Sequence, residues 1–384
     1  MVCETIIRLL ISNSIMKKIK SFFKRVLLFF LSKRSTSGLC ARLFRNRLMD
    51  MTQWGGGTFR DDIERFLPVF LDKETLDVSH LRTLESDIIS SYFLYGTTVQ
   101  EYLCFGFRDY NHKRRSSFLS NQHKDQTELE ILGFNSYEWS LLEDKALLYQ
   151  KCSKYFKRDV CYLNENGKKD FFSFCMKHSR FIAKPNDGQC GAGIKICEVD
   201  SNSQNSIQNA YDELSAEGGF LIEELIFQHQ SMAAFNPDSI NTVRIPSFYV
   251  KSGVQLLKPF VRFGRKGTIV DNANAGGLFA VIGSDGVIET DGFCLSDNKY
   301  YNEHPDSHVV IKGWQIPQWQ QLLSLVKEIH SSLSVIPYIG FDFAYTNQGW
   351  VLVEANCGQF VSEFCDKEGI KLKFDKLMLN ARNS

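Results

Sequence analysis

The stretch IGFDFAYTNQGWVLVEANCG, residues 339–358, is the most informative segment of the sequence. Two β-rich runs flank residues 347–349, and glycine as the last residue of this three-residue loop favours a hairpin. In the register that such a loop sets, Asp342 lies opposite Glu354. Asn356 shares the face of Glu354, because side chains two residues apart in a strand point the same way. The hairpin is therefore predicted to gather three oxygen-bearing side chains on one face.

The predicted pairing has an electrostatic consequence. Directly opposed residues have Cβ atoms about 4.5 to 5.5 Å apart, and two carboxylates at that separation repel unless positive charge lies between them. A hard divalent cation would supply this charge. Mg²⁺, with Mn²⁺ as an alternative, prefers oxygen ligands and leaves positions for water and phosphate. Asp342, Glu354 and Asn356 are therefore predicted metal ligands, and the alternative is a solvated edge hairpin that carries three polar side chains.

Composition places the chain among globular proteins with packed cores. It has 384 residues, of which 43% are hydrophobic and 23% are charged, which argues against a disordered, collagen-like or multi-span membrane protein. The length favours two or three domains. Eleven cysteines without a Cys-x-x-Cys pair indicate thiols in a reducing compartment, so a cytoplasmic location is expected.

The net charge of +1 hides a strongly basic N-terminus. Residues 1–50 carry eleven Lys and Arg against two acids. Within this arm, residues 15–31 have the apolar spacing of a basic amphipathic helix. Through residues 1–34 such an arm would bind an anionic membrane surface, at the inner face of the cell membrane; the alternative is a helix that packs on its own domain. No nucleic-acid partner is expected, because the rest of the chain is acidic.

The predicted elements change along the chain. Residues 51–140 alternate apolar and charged groups with few turn signals, which predicts a helical subdomain. From residue 181 short β-rich runs follow, separated by Gly, Asn and Asp. Lys184 ends one of these runs, and a glycine loop follows with Gly188, Gly191 and Gly193. Glycines let a backbone approach an anion closely, so this loop is a candidate phosphate site. A glycine-rich turn between strands is the alternative.

Two further segments carry chemistry. Glu223 and Glu224 are adjacent in an apolar run; strand alternation sends them to opposite faces, so that one meets a ligand while the other is solvated. The run 271–277 is rich in Asn and Gly and suits a loop near a carboxylate or acceptor substrate, with Arg262 as its clamp. The alternative is a turn-rich connection.

These features in this order resemble the ATP-grasp superfamily, and the chain looks closest to its sugar-transfer-associated branch. The resemblance covers about residues 91–364. Further matching motifs are LLEDKALLYQ with Lys145, FNPDSINTVRIPSFYV with Arg244, VRFGRKGTIVDNANAGGLFA, and IPQWQQLLSLVKEIH before the hairpin. One departure is Glu224, where many members have lysine.

The resemblance implies an α+β fold in which two lobes sandwich a nucleotide, preceded by the helical N-terminal region. The small lobe would span residues 141–230 and the large lobe 231–384. In this family a carboxylate attacks the γ-phosphate of ATP, and an amine or another nucleophile captures the acyl phosphate.

The resemblance also implies roles for individual residues. Lys145 and Lys184 would contact phosphates, the loop Gly188–Gly193 would cover them, and Glu223 to Ile226 would form the hinge beside adenine. Gln228 or His229 would lie near the ribose. Arg244 would stabilise transferred phosphoryl charge, a role that suits its guanidinium group.

The expected function is therefore an ATP-dependent carboxylate-amine ligase that acts in cell-surface polysaccharide or glycan-precursor modification. Two alternatives remain open. The first is a phosphotransferase that uses the same nucleotide site. The second is a nucleotide-binding accessory protein of a membrane-associated polysaccharide assembly machine.

Overall fold

The computed structural model describes residues 25–71, 77–132, 137–163, 167–186, 193–356 and 360–382. The helices are α1 (Ser37–Leu48), α2 (Phe59–Phe70), α3 (Val78–Tyr95), α4 (Val99–Phe105), α5 (His112–Arg115), α6 (Asn121–Leu132), α7 (Tyr137–Glu143), α8 (Lys145–Phe156), α9 (Lys168–Cys175), α10 (Gln204–Glu217), α11 (Gln230–Ala233), α12 (Trp319–Ser332), α13 (Ser362–Asp366) and α14 (Lys371–Arg382).

The strands are β1 (Val160–Leu163), β2 (Arg180–Pro185), β3 (Lys195–Glu198), β4 (Phe220–Glu224), β5 (Val243–Val250), β6 (Gly253–Leu256), β7 (Phe260–Phe263), β8 (Leu278–Val281), β9 (Gly292–Cys294), β10 (Lys299–Tyr301), β11 (Tyr338–Thr346) and β12 (Gly349–Asn356). The predicted α+β class with a helical N-terminal region is confirmed. The chain forms two compact units, residues 1–125 and 126–384.

The first unit is helical within its described residues. Residues 25–31 form a helix, and α1 packs against α3 through its inner face, which includes Ala41 and Leu48. Side chains cap several of the helices. Thr98 and Glu101, for example, form a reciprocal capping box at the start of α4, which satisfies backbone N–H groups that the helix leaves unpaired. No described helix is both long and apolar enough to cross a membrane.

The smaller sheet of the second unit has four antiparallel strands in the order β1-β4-β2-β3. Alternate residues such as Phe181 and Ile222 turn to one face, where α9 and α10 cover them with apolar side chains that include Phe171 and Leu214. Burying this face stabilises the lobe at roughly 25 cal/mol per Å² of apolar area removed from water. The other face is free of these two helices, and it carries the polar residues described below.

The larger sheet has eight strands in the order β10-β9-β8-β7-β5-β11-β12, with β6 paired to β5. One face packs on α12, whose buried residues recur at helical spacing as Leu322, Val326 and Ile329. On the sheet side, Ile245 and Phe341 belong to the same core. Because strand side chains alternate, the residues between these apolar ones face the other side of the sheet.

The predicted hairpin is present, and Asp342 pairs with Glu354 as expected. The predicted three-residue loop is wrong, because Thr346 pairs directly with Gly349 and only two residues separate the strands. A shift of register between Asp342 and Phe343 restores the expected pairing further along. The extra residue of this β-bulge is Val353. The shorter loop and the bulge each move the register by one residue, and the two shifts cancel.

Candidate active site

Register alone brings five of the predicted site residues to one face of the larger sheet. Asp342 of β11 pairs with Arg244 of β5 on one side and with Glu354 of β12 on the other. Asn356 lies two residues beyond Glu354. Arg262 lies two residues beyond the β7 partner of Arg244, and therefore on the same face.

Two arginines hold the carboxylate of Asp342, which is 1% exposed. Arg244 donates from Nε to Oδ1 and, at 2.7 Å, from Nη2 to Oδ2. Arg262 approaches Oδ2 with Nη2 at 2.9 Å. Burial by itself would raise the pKa of Asp342, but the positive charges of Arg244 and then Arg262 outweigh burial and lower that pKa. Asp342 is therefore ionised at neutral pH.

The two arginines around Asp342 also bear on the predicted metal site. The positive charge that the opposed carboxylates require is already present, because two guanidinium groups bind Asp342. A carboxylate has about four lone-pair positions, and three guanidinium contacts occupy most of them. Glu354 and Asn356 are only partly buried, and their oxygens are the donors that Mg²⁺ prefers. The described residues contain no cluster of three His, Cys, Asp or Glu that would hold a metal. The side chains fit a hard cation that would be held mainly by Glu354 and Asn356, with Asp342 as a shared or neighbouring charge.

Arg262 is also anchored on its other side. Its Nε and Nη2 donate to Thr242 Oγ1 at 3.0 and 2.8 Å. The backbone N–H and hydroxyl of Thr242 both donate to Asp271 Oδ2. Gly277 closes this loop tightly, because a Cβ there would lie 2.4 Å from the carbonyl oxygen of Asp271. The predicted substrate loop therefore begins beside Arg262, although Arg262 already has acidic partners.

The face of the smaller sheet opposite α9 and α10 joins apolar and charged groups. The register places Ile182, Ile196 and Glu223 on this face, and it pairs Lys184 with Leu221 there as well. Lys184 Nζ lies 2.9 Å from Glu223 Oε2. A flat apolar patch beside an ammonium group suits a nucleotide, whose base is apolar on its faces and whose phosphates are anionic.

Arg158 is a component of the site that sequence reasoning missed. Its side chain is 3% exposed, and its Nη2 lies 2.6 Å from Glu223 Oε2, whose side chain is 2% exposed. Burial would raise the pKa of Glu223, but Arg158 and then Lys184 lower it. The only sequence signal was a basic residue between the end of α8 and the start of β1, and such residues are commonly solvated.

The buried ion pair of Glu223 with Arg158 predicts that the free energy of unfolding depends on pH. Because the pKa of Glu223 lies below its ordinary value of 4.5 in the folded chain, ionised Glu223 stabilises the fold above pH 4.5, and this contribution is lost as the pH falls below it. The difference in free energy of unfolding between the native chain and Glu223→Gln should be largest near neutral pH and shrink on acidification. Urea unfolding at several pH values measures it.

The matched control for this prediction is Glu217→Gln. Glu217 pairs with Lys195 in the same lobe, but its side chain is 45% exposed. Exposed ion pairs contribute about 0 to 1 kcal/mol, so this variant should differ little from the native chain at any pH. A Glu223→Gln difference that stays constant through acidic pH would contradict the prediction.

The remaining phosphate candidates lie at the ends of these elements. Lys145 opens α8, and its Nζ donates to the carbonyl oxygen of Asn186 at 3.2 Å, just beyond the strand that carries Lys184. Gly188 and Gly191 lie outside the described residues. Gly193 has φ +72°, and a Cβ there would lie 2.8 Å from Pro185 Cγ.

The hinge candidates separate as alternation predicts. Glu224 turns away from Glu223, and its Oε2 accepts from the backbone N–H of Asp159 at 3.1 Å. Ile226 lines a cavity of about 190 Å³ with neighbouring hinge residues and the β11–β12 loop. His229 caps α11, where its Nδ1 accepts from the N–H of Ser231 at 3.2 Å.

The other ribose candidate, Gln228, also has a structural partner. Its Nε2 donates to the carbonyl oxygen of Asn241 at 3.1 Å, and its Oε1 accepts from the backbone N–H of the same residue.

Comparison with known proteins identifies one family. The family model described as "Sugar-transfer associated ATP-grasp" matches residues 126–376. Among curated proteins, none matches the sequence.

Several similar solved structures are ligases. The D-alanine–D-alanine ligase of Bacillus anthracis is 13% identical, with a TM-score of 0.40 over 68% of this chain and 75% of that one. A D-Ala:D-Ser ligase of Enterococcus faecalis is 12% identical, with a TM-score of 0.39 over 64% of this chain and 62% of that one. An L-amino acid ligase of Bacillus licheniformis is 9% identical, with a TM-score of 0.33 over 60% of this chain and 44% of that one.

These likenesses are too distant to indicate a substrate, so the assignment rests on the family model, which spans well over half of the chain. The chain belongs to the sugar-transfer-associated ATP-grasp family.

Proposed function

We propose that the chain is an ATP-dependent ligase that joins a carboxylate to an amine or a related nucleophile in the modification of a cell-surface polysaccharide or glycan precursor. The observation that carries this proposal is the pair of polar sheet faces in one compact unit. The smaller sheet presents Lys184 beside an apolar patch, and the larger sheet presents Arg244 and Arg262 around Asp342 beside Glu354. ATP-grasp enzymes generally use ATP with a divalent cation.

The proposed reaction balances without a covalent enzyme intermediate. A substrate carboxylate oxygen attacks the γ-phosphorus, the bond to the bridging oxygen breaks, and ADP leaves. The nucleophile then attacks the acyl carbon, releases inorganic phosphate and loses a proton. Phosphoryl transfer needs positioning and positive charge more than covalent chemistry, and a cluster of buried cations is suited to that task.

Each group has a proposed task. Lys145 and Lys184 bind phosphate oxygens, and the loop that contains Gly188, Gly191 and Gly193 covers them. Arg244 and Arg262 stabilise charge on the transferred phosphoryl group and on the substrate carboxylate.

The metal and the base have tasks of their own. Glu354 and Asn356, near Asp342, hold Mg²⁺ or Mn²⁺, which neutralises phosphate charge when bound. The backbone from Glu223 through Glu224 to Ile226 faces the adenine, with His229 near the ribose.

A product assay tests the proposal against its alternatives. The full chain is incubated with ATP, Mg²⁺ and pools of carboxylates and amines, and ADP and free phosphate are measured. A ligase releases both only when both substrate classes are present. Phosphate retained on a product would indicate a phosphotransferase, and ATP bound but never hydrolysed would indicate the accessory role.

We also propose a cytoplasmic chain that binds the inner face of the membrane peripherally. Residues 1–24 of the predicted arm lie outside the described residues, and residues 25–49 contain six Lys and Arg and no acid. Helix α1 buries one face on its own unit and exposes Leu39 and Leu43 on the other, at 57% and 68%. Exposed Arg42 and Arg47 lie beside them. An exposed apolar and cationic face favours anionic lipid headgroups.

The double variant Leu39→Gln and Leu43→Gln should weaken binding to anionic vesicles by about tenfold or more, since each leucine loses apolar burial in the interface. Flotation with phosphatidylglycerol vesicles measures it. The control replaces Leu372 and Leu379, which are 81% and 59% exposed on α14, with Gln. Equal flotation of both variants and the native chain would remove the membrane proposal.

A further inference from the structure

We propose that Arg158 is a positioning residue that couples the phosphate-binding face of the smaller sheet to the strand that carries Glu354. The inference rests on the proposed function, because it concerns how the two halves of that site are held together. Arg158 lies outside the motifs that carry the resemblance to the family. The role emerges only from contacts that link Glu223 to the backbone of β12.

The guanidinium group of Arg158 spans the two sheets. On the small-sheet side its Nε donates to Glu223 Oε2 at 2.8 Å. On the large-sheet side its Nη1 donates to the carbonyl oxygen of Leu352 at 2.7 Å, and Nη2 lies 3.5 Å from the carbonyl oxygen of Val353. A planar, rigid guanidinium can serve both directions at once, whereas an ammonium group on a flexible stem cannot hold that geometry.

The Leu352 carbonyl lies at the bulge that places Glu354. Between the loop and the bulge, β11 and β12 pair in one constant register, which runs from Thr346 with Gly349 to Phe343 with Leu352. Continued without interruption, this register would set Asp342 opposite Val353 and turn Glu354 to the other face. The bulge prevents this, and bulges leave backbone groups unpaired while redirecting side chains. Arg158 binds the carbonyl next to the extra residue, so it stabilises the backbone that points Glu354 toward Asp342.

The same residue prepares Lys184 for phosphate. Glu223 faces two cations in the structure, Arg158 and Lys184. If Lys184 turned toward a phosphate, a buried carboxylate without a second partner would be costly. Arg158 keeps Glu223 paired, so Lys184 can change partners without leaving an isolated buried charge. Arg158 therefore supports a phosphate ligand on one sheet and a metal ligand on the other.

Arg158→Lys tests the proposal, because it keeps a cation beside Glu223 and removes the fork that reaches β12. Amide hydrogen exchange of the nucleotide-free chain should show about tenfold faster exchange at residues 352–354. The Mg²⁺-dependent part of ATP affinity should fall about tenfold, in the range found for residues that support metal ligands. ATP affinity without Mg²⁺ should stay within about twofold of the native value.

Two matched variants separate a positioning role from general loosening. Lys157→Gln removes an exposed side chain whose Nζ donates to the carbonyl oxygen of Gln348 in the same hairpin, and it should leave exchange at 352–354 unchanged. Glu223→Gln leaves the Arg158 contact to Leu352 in place, so exchange at the bulge should stay near native.

The outcomes separate the two proposals. Native exchange at 352–354 in Arg158→Lys overturns the positioning role, as does faster exchange with unchanged Mg²⁺ dependence. Equal loss of protection in Lys157→Gln also overturns it. If the native chain fails to bind MgATP, the proposed function fails, and the exchange data still decide whether Arg158 holds the bulge.

Discussion

Asp342→Ala is expected to cost about 3 to 5 kcal/mol of the free energy of unfolding, the range for removing one partner of a buried ion pair. Arg244, whose side chain is 7% exposed, and Arg262 both lose the carboxylate that balances them. A loss of that size is a large part of the 5 to 15 kcal/mol that stabilises a typical domain. Urea unfolding in the presence of a chelator measures it without any contribution from metal.

Glu354→Ala is the matched control for this prediction. Glu354 occupies the paired position across the same hairpin, but it is only partly buried, so its replacement should cost about 1 kcal/mol or less. Asp342→Asn should lie between the two, because the amide keeps one acceptor oxygen. Equal loss from both alanine variants would show that the guanidinium cluster does not stabilise the sheet.

Glu354→Gln is expected to weaken the Mg²⁺-dependent part of ATP binding by about 10- to 100-fold while leaving the fold and metal-free ATP binding unchanged. The reason is that Asp342 and Glu354 have different partners. Asp342 is already bound by guanidinium groups, so Glu354 is the carboxylate with more capacity for a cation. Calorimetric titration with and without Mg²⁺ measures the effect.

Glu328→Gln is the control for the Glu354 prediction. Glu328 lies on α12 in the same unit, with a side chain 58% exposed and paired to Lys154. It should change neither affinity nor Mg²⁺ dependence. A Glu354→Gln chain that binds MgATP as tightly as the native chain would contradict the assignment of this carboxylate to the metal.

The sequence predicted those features of the site that follow from the alternation of side chains along a strand. Alternation correctly separated Glu223 from Glu224, and it placed Glu354 opposite Asp342. The second result was right even though the loop was wrong. Alternation is local and follows from backbone geometry, whereas the loop length and the bulge depend on how the hairpin packs.

The arginines show why the rest could not be predicted. Strand β5 lies beside β11 in the sheet although about a hundred residues separate them in sequence, so no local pattern places Arg244 against Asp342. The sequence therefore predicts a cation between the two carboxylates, whereas guanidinium groups supply the positive charge in the structure. Arg158 escaped notice for a related reason, since its partners include backbone carbonyls, which have no sequence signature.

Titration of ATP against the full chain, with and without Mg²⁺, measures whether the two sheet faces bind one nucleotide. If they do, the chain has a single site whose affinity rises by about tenfold or more with Mg²⁺ and is lost in Lys184→Met. Absence of binding, or binding that responds neither to Mg²⁺ nor to the loss of Lys184, would contradict the proposed nucleotide site.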